Sequence, residues 1–308
     1  MSKTAYIFPG QGSQFSGMGR ELYEEYPEAK AAFEEADSAL ESPISEMCFS
    51  GTEEELALTE NTQPAILTVS IAAYRAFVAA GAPTADFVAG HSLGEYSAVV
   101  AAEGMTLASA AATVRKRGLY MQQAVPVGTG AMAAILGSSP DTVVECCNAA
   151  GGVCAPANIN SPKQIVIAGE KASVEKACEL LSEAGAKRTV MLNVSAPFHC
   201  DLMKPAQDRL SKDLEGIDFA DLNIPLMENV SAELNSVGER VRQALIDQVS
   251  SPVRWLESVE NLISEGVDTF VEIGPGKVLS GLVRQINRDV RCFNVSDRES
   301  IANTLENI

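Results

Sequence analysis

The chain is short of basic residues. Its 308 residues hold 23 Lys and Arg against 41 Asp and Glu, a formal net charge of −18. Nucleic-acid binding needs a basic surface to displace counterions, and docking on an anionic membrane needs the same sign, so the balance argues against both. No Cys-x-x-Cys pair occurs. Cys48, Cys146, Cys147, Cys154, Cys178, Cys200 and Cys292 are odd in number and irregularly spaced. Neither a disulfide framework nor a metal site is expected, and the thiols read as buried small hydrophobes. No run of about 18 apolar residues is available to span a bilayer. The segment from Met1 to Tyr6 is not an apolar signal, so a soluble cytoplasmic protein is expected. Internal repeats and low-complexity tracts are missing as well.

Hydrophobic residues, at 46%, are ample for a large core. The length suits one large α/β unit with an insert. Residues 1–124 carry a net charge of −9, residues 125–196 only −1, and residues 197–308 carry −8. Pro126, Gly128 and Gly130 mark the entry to the near-neutral stretch, and Ser195-Ala196-Pro197 marks its exit. The expected division is a large unit of residues 1–125 and 197–308 with residues 126–196 inserted into it.

The apolar run Ala5-Tyr6-Ile7-Phe8 reads as a buried strand ended by Pro9-Gly10, and Phe87-Val88-Ala89 as another. Residues 19–40, 63–80, 95–102 and 107–124 read as helices, and 269–273 as a strand that stops at Gly274-Pro275-Gly276. Within the insert, residues 131–136, 164–168 and 188–194 read as strands and 141–150 and 173–184 as helices. About four short strands interleaved with two helices suit a ferredoxin-like arrangement. The alternation elsewhere favours a mainly parallel sheet covered on both faces.

Gly90-His91-Ser92-Leu93-Gly94 is Gly-x-Ser-x-Gly between a strand and a helix, the context of a nucleophile elbow. The turn projects Ser92 from the strand end, and the following helix start offers free N–H groups to a developing oxyanion. A plain strand-to-helix turn with a capping serine is the competing reading. A serine hydroxyl needs a base. The chain has two histidines, and His91 adjoins the serine at a turn where successive side chains diverge. His199, in Ala196-Pro197-Phe198-His199-Cys200, is left. No Asp or Glu stands out as a third member, and Asp201 is too near in sequence to be assumed.

These segments carry a resemblance. Phe8-Pro9-Gly10-Gln11-Gly12-Ser13-Gln14, Thr62-Gln63-Pro64-Ala65, Gly90 to Tyr96, Arg117-Gly118, Met121-Gln122, Gly128-Thr129-Gly130-Ala131-Met132, Asn160-Ser161-Pro162, Phe198-His199 and Gly274-Pro275-Gly276 appear in that order. Together they resemble the malonyl-CoA:acyl carrier protein transacylases of bacterial fatty-acid synthesis, over residues 4 to 285. The family's fold is a hydrolase-like α/β unit with a small ferredoxin-like insert.

The resemblance implies that Ser92 takes malonyl from CoA as an ester and that His199 moves the protons of both half-reactions. It implies backbone oxyanion donors from Gln11 and Leu93. Gln248 stands where the family orients its histidine through an oxygen acceptor, although Ser251 precedes Pro252 where Asn is common. Arg117 stands at the clamp for the malonyl carboxylate, with which a guanidinium forms two parallel hydrogen bonds. Phe198, Met121 and His91 are the remaining substrate-site residues. No cofactor is implied, malonyl-CoA being a substrate. The partners implied are CoA and an acidic acyl carrier protein, with a monomer expected. Lys187, Arg188 and Lys163, on the near-neutral insert, are the carrier-docking candidates, with Lys116, Lys277, Arg284 and Arg288 secondary. A serine hydrolase on the same elbow and a silent binding domain are the alternatives. A buried arginine has no purpose in the first, and an intact Ser92, His199 and Arg117 speak against the second.

Overall fold

The computed structural model describes residues 2–126, 128–194 and 196–308. Ser195, at the expected exit of the insert, lies outside the described residues. The chain forms a mixed α/β structure with two separate sheets. The larger is built from β1 (Lys3–Phe8), β2 (Phe87–Gly90), β7 (Leu226–Met227), β8 (Leu234–Asn235), β9 (Val267–Ile273) and β10 (Arg291–Val295), in the order β10-β9-β1-β2-β7-β8. All its pairings are parallel except β7 with β8. β1 lies near the middle, and Ala5, Tyr6, Ile7 and Phe8 are all buried because helices cover both faces. This is why the strand reads as a continuous apolar run rather than an alternation.

The smaller sheet holds β3 (Gly130–Leu136), β4 (Cys154–Ser161), β5 (Gln164–Glu170) and β6 (Arg188–Met191), in the antiparallel order β4-β5-β3-β6. Helices Pro140–Ala149 and Lys171–Glu183 follow β3 and β5. That is the β-α-β-β-α-β order of a ferredoxin-like unit. Its own core packs Ile135, Val143, Ile167, Val174 and Leu181 together. β4 was not located by the sequence reading. It contains Pro156, alternates poorly, and shifts register between Pro156 and Asn158 and again between Ile159 and Ser161. β6 ends at Met191 rather than at residue 194.

The helical reading of residues 19–40 needs correction. Two helices, Arg20–Glu25 and Pro27–Leu40, meet at an extended Tyr26. Pro27 has no N–H to continue the first helix and a φ suited to opening the second. The helix Thr59–Ala79 starts four residues earlier than expected and is buried along most of its length. No helix among the described residues is long and apolar enough to cross a membrane.

Two contacts fix the small sheet over the end of the large one. Ile159 N–H donates to Val253 O at 2.9 Å, and Val253 N–H donates to Ala157 O at 2.9 Å. Asn158 thereby forms an isolated parallel bridge with Val253. The crevice between the sheets is lined by Gln11, Ser92, Arg117, Asn160, Phe198 and His199, among others.

Candidate active site

β2 ends at Gly90, and a helix begins at Leu93. The turn between them holds Ser92 at φ 52° and ψ −107°. A non-glycine residue there costs about 1–3 kcal/mol, so the surroundings must hold it. Gly90 and Gly94 make the turn close. A Cβ on Gly90 would lie 2.0 Å from Gly94 carbonyl atoms, and one on Gly94 would lie 2.0 Å from Phe8 O. Ser92 N–H donates to Asn229 Oδ1 at 2.7 Å, and Asn229 Nδ2 donates to Gly90 O at 2.7 Å. One amide side chain thus clasps the backbone on both sides of the bend.

Ser92 Oγ stands 2.7 Å from His199 Nε2, and His199 Nδ1 stands 2.8 Å from the main-chain oxygen of Gln248. A carbonyl oxygen can only accept, so Nδ1 carries the ring proton and Nε2 is free to accept from the serine. His199 also sits at positive φ, 59°. Burial, and next the charge of Arg117, push its pKa down to about 3, which keeps the ring neutral. Asp201 faces away and pairs with Lys204 at 3.3 Å.

Gln248 is fully buried, not a surface helix residue. Its side chain makes no hydrogen bond to the histidine. Nε2 donates to Ser92 O at 3.0 Å and to Glu95 Oε2, while Oε1 accepts from Arg117 Nη2 at 2.8 Å. Glu95 Oε1 also accepts from Asn229 N–H at 3.1 Å. Burial raises the Glu95 carboxyl to about 8.

Arg117 is 1% exposed. Nη1 donates to Gln63 Oε1 at 2.7 Å, and Nη2 donates to Ser92 Oγ at 3.1 Å as well as to Gln248. Its guanidinium lies over the Tyr96 ring at 5.7 Å. Nε has no hydrogen-bond partner, and every acceptor on the group is a neutral oxygen. The nearby Glu95 carboxyl acts on it electrostatically but makes no hydrogen bond to it.

The loop after β1 presses against the elbow, since a Cβ on Gly10 would meet His91 O at 2.3 Å. Gln11 and Leu93 both line the crevice. Neither the Gln11 nor the Leu93 N–H donates to a protein acceptor among the described residues. His91 Nε2 is 2.8 Å from Asn160 Oδ1, and its ring packs near Trp255 at 5.7 Å between centroids. Met121 is buried, with Gln63 Nε2 3.9 Å from its sulfur, and Phe198 lines the same crevice.

Lys163, Lys187 and Arg188 are exposed and come together at the far end of β3. Gly137 N–H donates to Lys163 O, Lys187 N–H donates to Leu136 O, and Arg188 pairs with Leu136. Gly274 and Gly276 turn at φ 133° and 81°, and Gly274 packs tightly on Pro9 and Ser70, a structural turn. Glu95, Asn229, Gln63 and Asn160 were not singled out as site residues from the sequence. Glu95 had a signal, a lone carboxylate inside an apolar helix. Asn229 had none.

An elbow serine hydrogen-bonded to a neutral histidine, on an α/β sheet, defines a serine-dependent acyl-group enzyme. The chain belongs to the acyl transferase domain family, whose model matches residues 5–303. It is 52% identical over 304 residues to the malonyl CoA-acyl carrier protein transacylase of Bacillus subtilis (strain 168), covering 98% of this chain and 96% of the relative. An acyl carrier protein S-malonyltransferase structure from Vibrio cholerae matches with a TM-score of 0.96 at 44% identity, over 98% of this chain and 100% of that one. A solved type II polyketide acyl carrier protein in complex with its malonyl-transacylase matches with a TM-score of 0.97 at 43% identity, over 100% of both chains.

Proposed function

We propose that the chain transfers malonyl from malonyl-CoA to the phosphopantetheine thiol of an acyl carrier protein, supplying fatty-acid elongation. His199 Nε2 takes the Ser92 proton as Oγ attacks the thioester carbon. The oxyanion that forms is received by the Gln11 and Leu93 amides, which need little rearrangement. Collapse breaks the carbon–sulfur bond, and His199 returns the proton to the CoA thiolate. The carrier's thiol then repeats the sequence on malonyl-Ser92, with His199 as base and then acid. The chain's own side chains suffice for each proton, so no cofactor has a task.

The observation that carries the reading is the buried Arg117, hydrogen-bonded only to neutral oxygens and 3.1 Å from Ser92 Oγ. A malonyl ester on that oxygen ends in a carboxylate within reach of the guanidinium. The name of the Bacillus relative and the carrier-bound neighbour support the same substrates. We assign residues 1–125 and 197–308 to the large unit and 126–196 to the insert, with Lys163, Lys187 and Arg188 as the carrier's landing place.

Incubation with labelled malonyl-CoA is expected to add one malonyl group to the peptide holding Ser92, and holo carrier protein is expected to remove it. Ser92→Ala is expected to take no label. Release of free malonate instead of transfer would turn the assignment to a hydrolase.

A further inference from the structure

The small sheet holds a pair of thiols that the transfer chemistry leaves unused. Cys147 lies in the last turn of the helix Pro140–Ala149, and Cys154 opens β4. Between them Gly151 and Gly152 hold φ at 74° and 61°, backbone open to glycine but rare for other residues, and the chain reverses there. The reversal brings the two sulfurs to 3.6 Å. Both thiols are free, and this is the only sulfur–sulfur hydrogen bond among the described residues. A disulfide needs the sulfurs to close from 3.6 Å to ~2.05 Å.

The two sulfurs differ in access. Cys147 is 2% exposed in the insert's core beside Val143 and Ile167, while Cys154 is half-buried at the strand end. The Cys154 S–H donates to the Cys147 sulfur, and hydrogen bonding with Cys147 holds the Cys154 thiol below its ordinary range. Cys48 and Cys200 contrast with them. Each is buried and donates to a main-chain carbonyl, of Ala65 and Pro197. Burial pushes the Cys200 thiol up to about 11, so adjacency to His199 does not make it reactive.

We propose that Cys147 and Cys154 form a redox pair that a hydroperoxide converts into an intrachain disulfide. The Cys154 thiolate attacks one peroxide oxygen, the O–O bond breaks, and hydroxide leaves and is protonated to water. Cys154 is then a sulfenic acid, oxidised by two electrons. The Cys147 sulfur attacks the Cys154 sulfur, the S–O bond breaks, and a second water leaves with the Cys147 proton. In sum, two thiols and one hydrogen peroxide give one disulfide and two waters. The new bond ties the helix end to the strand that carries Asn158 and Asn160 into the crevice.

The sequence makes the test direct. No Lys or Arg lies between Arg117 and Lys163, so Cys146, Cys147 and Cys154 travel on one tryptic peptide. The full chain is treated with hydrogen peroxide, then unfolded in denaturant so that every remaining thiol can be blocked with N-ethylmaleimide, and it is digested without reductant. The peptide is expected to lose two hydrogens and to take one maleimide, on Cys146, where the untreated chain takes three. Dithiothreitol is expected to restore all three. Cys146→Ser and Cys178→Ser are expected to keep the link and Cys154→Ser to abolish it. The oxidised chain should melt higher than the reduced one, since the link restricts the unfolded state. A link through Cys146, Cys178 or Cys200, a Cys154 that stops at sulfinic acid, or three free thiols after peroxide would each overturn the proposal. So would a lower melting temperature on oxidation, because it would mean that the bond forms only by distorting the fold.

Discussion

Arg117 Nη2 lies 3.1 Å from Ser92 Oγ and donates to it. The cation therefore faces the nucleophile before any acyl group arrives, and it shares the serine oxygen with His199 Nε2. Malonylation gives it a better acceptor than a neutral hydroxyl, because a carboxylate brings the opposite charge and can accept two parallel N–H bonds.

This arrangement sets acyl-group choice. Arg117→Ala is expected to lower kcat/KM for malonyl-CoA by about a hundredfold or more, the scale for losing a buried charge-assisted pair. Activity toward acetyl-CoA relative to malonyl-CoA should rise, since the guanidinium that an apolar acyl group leaves unpaired is gone. Arg117→Lys should recover only part, because an ammonium cannot form the planar fork. The check is kcat/KM for both thioesters in the three proteins. An unchanged malonyl-to-acetyl ratio in Arg117→Ala would remove Arg117 from the clamp.

The same cation acts on the base. His199 must be neutral to accept a proton, and it is neutral above its pKa, which burial and then Arg117 push down to about 3. The acid limb of kcat/KM owed to His199 should therefore lie far below the ordinary histidine range near 6.5. Arg117→Ala removes a positive neighbour, so the imidazolium becomes easier to form and the limb should move to higher pH. A limb that stays in place, or moves down, contradicts this coupling.

Glu95 offers a test away from the reacting atoms. Its folded pKa is raised by burial from 4.5 to about 8. A carboxyl raised in this way contributes stability that is fully present below pH 4.5 and is lost as pH rises through about 8. Glu95→Gln cannot titrate, so its melting temperature should vary less across that window than the parent's. The amide also cannot accept from both Asn229 N–H and Gln248 Nε2 with two carboxylate oxygens. The Gln248 side chain loses a partner, and kcat should fall by about tenfold, the worth of one buried hydrogen bond. Parallel melting curves for the two proteins across the window would disprove the titration.

The elbow and the two histidines were legible because they are rare patterns in a chain of this length. The insert was legible from its neutrality and its punctuation. The network behind the elbow was not. Asn229 reaches Ser92 across 137 positions of sequence, and its neighbours Glu228 and Val230 give no periodic hint. Gln248 contributes a main-chain oxygen to His199, a role that any residue type could fill and that no side chain announces. β4 escaped because its two register shifts break the alternation on which strand reading rests.

Carrier docking can be separated from thioester chemistry. Lys187 and Arg188 are exposed beside Lys163 on a chain whose net charge is −18. An acidic carrier meets overall repulsion except at such a local positive patch. Replacing Lys187 and Arg188 by Glu should raise the carrier's KM severalfold and leave the CoA half-reaction nearly unchanged, with the effect shrinking as salt is added. Equal effects on both half-reactions would place the docking surface elsewhere.

The bridge between Asn158 and Val253 gives the insert a structural duty that its position in the chain conceals. Val253 follows Gln248 by five positions, in the segment whose carbonyl holds the imidazole. Excising the insert to obtain a smaller enzyme would strip both hydrogen bonds from Val253 and loosen that segment. Exchanging the insert for another would have to preserve the edge of β4 that meets Val253. Through Val253 the small sheet braces the segment that follows Gln248, so the two are best engineered together.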